Sequence, residues 1–200
     1  MAAYMRGQFP FLGVNAPAQK SAERAALAVA GRPTAQADVV EAVDQLWAAP
    51  EREHRYIGCG LVRRWAPRAD VSFVSSIEGW ITDQPWWDTC DALAHRGVSA
   101  VAHAHPELRS TMEQWLHGGD MWLTRAALLH MGRWRNDIDR EWVFAACLAM
   151  ADREEFFIRK AIGWILRDIA STDVEAVRDF VSGRGSVLSP LSRREALKRR

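Results

Sequence analysis

Residues 106–132 read PELRSTMEQWLHGGDMWLTRAALLHMG, a stretch that divides itself into two helices and two turns. Pro106 suits the first turn of a helix, Gly118-Gly119 ends that helix, Asp120 offers a carboxylate to cap the next one, and Gly132 closes it. Between these marks the apolar residues recur at helical spacing. Strand-like alternation over four to eight residues hardly occurs here or elsewhere in the chain. The same punctuation repeats outward in both directions. Pro17 opens a leading helix that Gly31-Arg-Pro33 ends, and helix pairs are predicted over 34–49 with 51–66, 70–82 with 86–97, 106–117 with 120–132, 138–151 with 153–170, and 173–183 with 190–200. The second members begin near residues 51, 86, 120, 153 and 190, at intervals of 33 to 37 residues. Such an interval suits a helix-turn-helix unit that cannot bury both faces alone and stacks on its neighbours. The chain is therefore predicted to be all-α, an α-solenoid of about five to six antiparallel helix pairs.

The chain has 200 residues, of which 48% are hydrophobic and 26% charged. That balance describes a single globular domain over residues 1–200 and excludes disordered, collagenous and small disulfide-stapled classes. No apolar run approaches the roughly 20 residues that span a bilayer, and Met1 to Gln8 lacks the layout of a signal peptide. Cys59, Cys90 and Cys147 are odd in number and far apart, with no C-x-x-C pair, so a reducing, cytoplasmic setting fits best. A solenoid of this length needs no second copy to complete its core, so a monomer is expected.

A formal net charge of +1 gives no global argument for a nucleic-acid partner, so such a partner has to be met by a local patch. Basic charge collects in the tail, where Arg184 to Arg200 sets six basic residues against Glu195. Several second helices also place a basic residue ahead of small and apolar ones, at Arg55, Arg125, Arg159-Lys160 and Arg193. If these helices form the concave wall, the recurrence makes a stripe suited to a phosphate backbone; taken singly, each reads better as an ordinary helix-surface charge.

Ten tryptophans are the other compositional anomaly, several of them beside charged residues. In Pro85-Trp-Trp-Asp-Thr-Cys-Asp91, Trp87 and Asp91 are four apart and share a helix face, while Asp88 and Asp91 lie near the positive end of the helix dipole. The plainer reading makes Trp86 and Trp87 core anchors and the two carboxylates part of the helix start. Trp164 and Arg167 share a face three apart. Gly163 costs about 1 kcal/mol in mid-helix relative to Ala, which points to a close approach there. No glycine-rich phosphate loop or nucleophile elbow is present. His103 and His105, with His95 upstream, lack the third ligand that ordinary metal spacing requires, and no metal is expected.

Taken together, Tyr4-Met-Arg-Gly-Gln-Phe-Pro-Phe-Leu-Gly13, Trp86-Trp-Asp-Thr-Cys-Asp91, Trp122-Leu-Thr-Arg-Ala126 and Glu155-Phe-Phe-Ile-Arg-Lys-Ala-Ile-Gly-Trp164 resemble the AlkD-type DNA alkylation-repair glycosylases, built of HEAT-like repeats with a concave DNA-binding face. The resemblance covers nearly the whole chain. It implies hydrolysis of the N-glycosidic bond of positively charged alkylpurines such as 3-methyladenine and 7-methylguanine in double-stranded DNA, without metal or cofactor, with the lesion held in the duplex against an open cleft. It further implies Asp91 as the catalytic carboxylate, Trp87 and Trp164 as aromatic walls, Tyr4 as another aromatic of the cleft, and Arg125 on the DNA backbone. Arg167 and Lys160 look like further backbone contacts. The family carries a helix ahead of the Tyr-Met-Arg motif, so a short segment is expected to precede Met1. The competing expectation is a catalytically silent helical-repeat module that binds DNA or a protein partner.

Overall fold

The computed structural model describes residues 3–183 and 187–198. Among them there is no strand. A leading helix, α1 (Ala16–Ala30), is followed by the pairs α2 (Gln36–Ala48) with α3 (Arg52–Trp65), α4 (Phe73–Thr82) with α5 and α6 (Trp87–Leu93 and Ser99–Ala104), α7 (Arg109–His117) with α8 (Met121–Leu129), α9 (Arg140–Ala149) with α10 (Phe156–Ala170), and α11 (Val174–Gly183) with α12 (Pro190–Ala196). The starts are held as the sequence dictates. Asp120 accepts from the backbone N–H of Trp122 and Leu123, Asp173 from Ala176, and Ser189 from Ser192. No helix among the described residues is long and apolar enough to cross a membrane. Arg184, Gly185, Arg199 and Arg200 of the basic tail lie outside the described residues.

The stacking interval is visible in the hydrogen bonds. Trp47 Nε1 donates to the Trp80 carbonyl 33 residues away (3.1 Å), Trp134 Nε1 to Ser99 at 35, and Ser192 Oγ to the Arg159 carbonyl at 33. Each bond joins a helix pair to the next, so the repeat unit is completed by its neighbour. Apolar contacts follow the same rule. Val62, Ile77, Leu93, Leu129 and Ile165 come from four successive helix pairs, and all belong to one continuous core.

Several boundaries lie a few residues from expectation, and two of the differences have a visible cause. Gly97 does not stop a helix. The chain passes through a π turn at Ala94–Val98 and continues into α6, and Gly97 is needed because a Cβ there would come within 2.8 Å of Val62 Cγ1 and 3.1 Å of Ile77 Cδ1. The helix expected from 153 begins at Phe156, because the Arg153 guanidinium turns back onto the Glu155 carboxylate.

The predicted basic stripe is also corrected. Arg55 is buried on Asp83 and the Trp47 carbonyl, Arg125 is buried on Asp91, and Arg159 donates to the Arg153 carbonyl. These cations face protein partners in their own helix pair or an adjoining one. The three cysteines are free and buried, and burial pushes the Cys59 thiol up to about 12 and raises the other two as well.

Gly163 marks the tightest helix approach. A Cβ there would lie 2.4 Å from Glu195 Cβ and 2.8 Å from the Ser192 carbonyl oxygen, so α12 would have to move. Alanine gains about 1 kcal/mol in helix propensity, whereas overpacking costs about 1–3 kcal/mol. Gly163→Ala is expected to lower the melting temperature by several degrees, as read by circular dichroism.

His130 gives the fold a pH dependence. Its Nδ1–H donates to the Ala127 carbonyl at 2.6 Å, and the ring stands edge-on to Trp134 and Trp142. Burial lowers its pKa to about 4, against that hydrogen bond and with Arg109 adding to the fall. The unfolded chain takes up the proton near the ordinary value of 6.5, while the folded protein stays neutral to about 4. The contribution is therefore whole above pH 6.5 and lost as pH falls through that window, on the order of 3 kcal/mol. Melting temperatures between pH 7.5 and 4.5 are expected to fall more steeply in the wild type than in His130→Gln.

Candidate functional site

Arg52 fixes the start of α5. The side chain is buried, with Nε and Nη2 on the two oxygens of Asp88 (3.1 and 2.7 Å), Nη2 also on Thr89 Oγ1, and Nη1 on the Gln84 carbonyl. Tyr56 OH donates to the same carboxylate at 2.7 Å. The first turn of α5 is thereby pinned to α3, and with it the direction in which Trp87 and Asp91 project.

A strap formed by residues 3–13 is clipped to the same helix. Glu53 accepts from the N–H of Leu12 (3.0 Å) and Gly13 (2.9 Å), the Arg52 N–H donates to the Pro10 carbonyl, and the Arg52 guanidinium lies 3.8 Å from the Phe9 ring centroid. Burial works against the Glu53 charge, but the backbone donors outweigh it and the pKa is lowered. The strap turns through left-handed backbone at Arg6 and Gly7, with φ of 55° and 68°. Met5 is buried, and the ring of Tyr4, 69% exposed, stands edge-on to Trp87 with centroids 5.7 Å apart.

One turn beyond Trp87, Asp91 is held by Arg125 through Nε (2.7 Å) and Nη2 (2.8 Å). Arg125 Nη1 donates to the Phe157 carbonyl at 2.5 Å, and its Cζ lies 5.0 Å from the Trp164 ring centroid. One guanidinium thus joins Asp91 of α5 to Trp164 of α10. Arg125, which the resemblance puts on the DNA backbone, is 1% exposed, with its donors engaged inside the protein.

Trp164 is enclosed differently from Trp87. Its Nε1 donates to Glu195 (3.1 Å), whose other oxygen meets Lys160 Nζ at 3.0 Å, and Arg167 Nη1 reaches the same carboxylate at 3.4 Å. Burial opposes the Glu195 charge, but the Lys160 and Trp164 hydrogen bonds prevail and its pKa is lowered. Arg125, Lys160 and Arg167 all lie within 6.0 Å of the Trp164 ring centroid. Lys160 and Arg167, read from sequence as backbone contacts, are therefore paired with Glu195, which sequence reasoning passed over as one acid in a basic tail. Arg167 nonetheless also borders the groove.

That groove consists of three adjoining concavities of about 470, 440 and 460 Å³ along the second helices, sharing His95 and Arg133. Asp91 lines one and Trp164 another. Arg63, Arg96, Arg133 and Arg167 border it at intervals of 33, 37 and 34 residues, the spacing of the repeat. A search for cations at that interval would have found this row in the sequence. His95 lies half-buried between them. Burial lowers its pKa to about 4, with Asp91 opposing and Arg133, Arg125 and Arg96 adding to the fall. His103 and His105 are turned to Asp137 and the Ala69 carbonyl. Among the described residues no three His, Cys, Asp or Glu side chains are grouped to hold a metal ion.

Comparison with known proteins gives a consistent picture. A family model described as "DNA alkylation repair enzyme" matches residues 1–199. A solved structure described as a predicted DNA alkylation repair enzyme from Enterococcus faecalis is similar, with a TM-score of 0.90 at 27% identity over 99% of this chain and 92% of that one. No protein with a curated description matches significantly.

The strap depends on Glu53. Hydrogen bonds from N–H groups to a carboxylate contribute about 1.5–3 kcal/mol, so Glu53→Ala is expected to speed amide hydrogen exchange at Leu12 and Gly13 by roughly tenfold to a hundredfold. Exchange within α10 should change little.

Proposed function

The chain belongs to the DNA alkylation repair enzymes, and from that premise we propose that it is a DNA glycosylase hydrolysing the N-glycosidic bond of positively charged alkylpurines, 3-methyladenine and 7-methylguanine, in duplex DNA. The product would be an abasic site for other repair enzymes. The observation that carries this reading is the Asp91 carboxylate, fixed by a buried guanidinium, one helical turn from an indole, and bordering a groove edged by arginines at the repeat spacing.

Alkylation at N3 or N7 makes the purine cationic, so it leaves as a neutral base with little need of a general acid. Positive charge then develops on the deoxyribose. The groups that meet such charge are a fixed carboxylate and electron-rich ring faces. Arg125 occupies one side of both Asp91 oxygens and leaves the remaining lone pairs for the substrate; because the carboxylate is already oriented, little reorganisation accompanies the reaction. Trp87 packs partly against the core and stands T-shaped to Tyr4 with no protein cation over its ring among the described residues, whereas Trp164 has three protein cations around its ring. Trp87 and Tyr4 are therefore assigned the larger share of the contact with the cationic nucleotide, and Trp164 the support of Arg125.

Binding of the duplex falls to Arg63, Arg96, Arg133 and Arg167, which meet phosphates without reading bases. A row at one cation per repeat suits the regular charge of a nucleic-acid backbone. A binding-only module is the second reading, favoured by one fact: both oxygens of Asp91 already carry a partner.

Excision from methylated duplex DNA separates the two. Wild-type protein is expected to release 7-methylguanine, and Asp91→Asn to lower the single-turnover rate by at least about a hundredfold while DNA affinity changes only a few-fold. Because the substitution also leaves Arg125 buried without its anion, at a cost of about 3–5 kcal/mol, the rate is read below the variant's melting transition. Wild-type protein that binds the duplex and frees no base would overturn the glycosylase reading.

A further inference from the structure

His95 has no place in the chemistry described so far, yet the groove is built around it. It follows Trp87 and Asp91 at four-residue steps, so the three side chains lie along one helix face. It lies in the first turn of the π segment Ala94–Val98, and such single π turns inside helices are frequent at functional sites. It lines all three concavities and shares one of about 440 Å³ with Asp91. Gly132 leaves the imidazole its space: a Cβ there would stand 3.2 Å from His95 Cε1 and 2.6 Å from Asp168 Oδ2.

The two ring nitrogens are in different situations. Nδ1 is sealed from solvent and has no hydrogen-bond partner among the described residues. A sealed lone pair is tolerated better than a sealed N–H, which puts the proton of the neutral ring on Nε2, the nitrogen left to meet a ligand in the groove. The ring stays neutral because burial disfavours the charged form, a second proton at Nδ1 having no acceptor, with Asp91 opposing and Arg133, Arg125 and Arg96 adding to the effect.

We propose that His95 holds the attacking water: its Nε2–H donates to the water oxygen while Asp91 accepts one of the water's protons, in the concavity that both line. The proposal rests on the glycosylase reading. Side chains four apart on a helix have Cβ atoms about 5–6 Å apart, a span that one water bridges between their tips. Held by these two contacts, the water keeps one lone pair free for C1′. As the bond from C1′ to the purine nitrogen breaks, both its electrons leave with the base and cancel the base's positive charge. The water oxygen donates a pair to C1′, and its proton passes to Asp91 and then to solvent. His95 is neither oxidised nor alkylated, and it ends the step with the proton it began with.

The test is single-turnover excision of 7-methylguanine from methylated duplex, in buffer and in mixed methanol–water, where the sugar product partitions between abasic site and methyl glycoside. Loss of one hydrogen bond to the reacting water is expected to slow His95→Ala about tenfold and to raise the methyl glycoside share, with DNA affinity unchanged. His95→Gln, whose amide reaches the Nε2 position, should restore both; His95→Phe, which fills the space without a donor, should not, and it replaces the alanine variant if that one does not fold. Wild-type protein that frees no base overturns the glycosylase reading, and this proposal with it. A wild type that frees base beside a His95→Phe or His95→Ala variant of unchanged rate and partition overturns the His95 role alone. Slowing with unchanged partition that Gln does not rescue also overturns it, in favour of a packing role.

Discussion

A guanidinium without water around it must find acceptors in the protein, and Arg125 finds them on two other helices. Two of its nitrogens take both oxygens of Asp91 on α5, the third meets the Phe157 carbonyl at the start of α10, and its cationic plane lies against Trp164. The relative placement of three consecutive helix pairs thus converges on one side chain. Removing either partner of such a pair strands a buried charge, whereas the intact pair contributes little net stability; its value is in fixing geometry. Arg52 does the same one repeat earlier, joining α3, the loop at Gln84 and the first turn of α5. Between them these two arginines decide where Trp87 and Asp91 stand.

Much of this architecture is legible in the residue order because helix ends are local chemistry. Asp120 caps, Gly118-Gly119 stops, and the interval between second helices reappears as hydrogen-bond separations of 33 to 36 residues. Gly163 could be read as a close approach because a mid-helix glycine needs a reason, and α12 supplies it. Gly97 misled for the same cause. A glycine reports that a Cβ does not fit, and the sequence does not say whether a turn or a neighbour such as Val62 excludes it.

The cations were harder. Spacing along a helix shows which side chains share a face, but not which neighbour that face meets. Their own segments leave Arg125 and Lys160 free to face DNA, yet the stacking direction turns them toward acids some 34 residues distant, Asp91 and Glu195. The residues that do border the groove, Arg63, Arg96 and Arg133, recur at the repeat interval without any shared motif around them. A net charge of +1 conceals this row, since surface carboxylates elsewhere balance it.

The placement of sulfur bears on the setting in which an alkylation-repair protein works. Methylating agents that injure bases also seek soft nucleophiles, and among protein groups the thiolate is the most vulnerable. Here Cys59, Cys90 and Cys147 are buried and kept protonated by their surroundings, Cys59 among them although it lines the groove. The molecule therefore offers little thiolate to the reagents whose damage its family repairs, and it can persist through the same chemical exposure that creates its substrate.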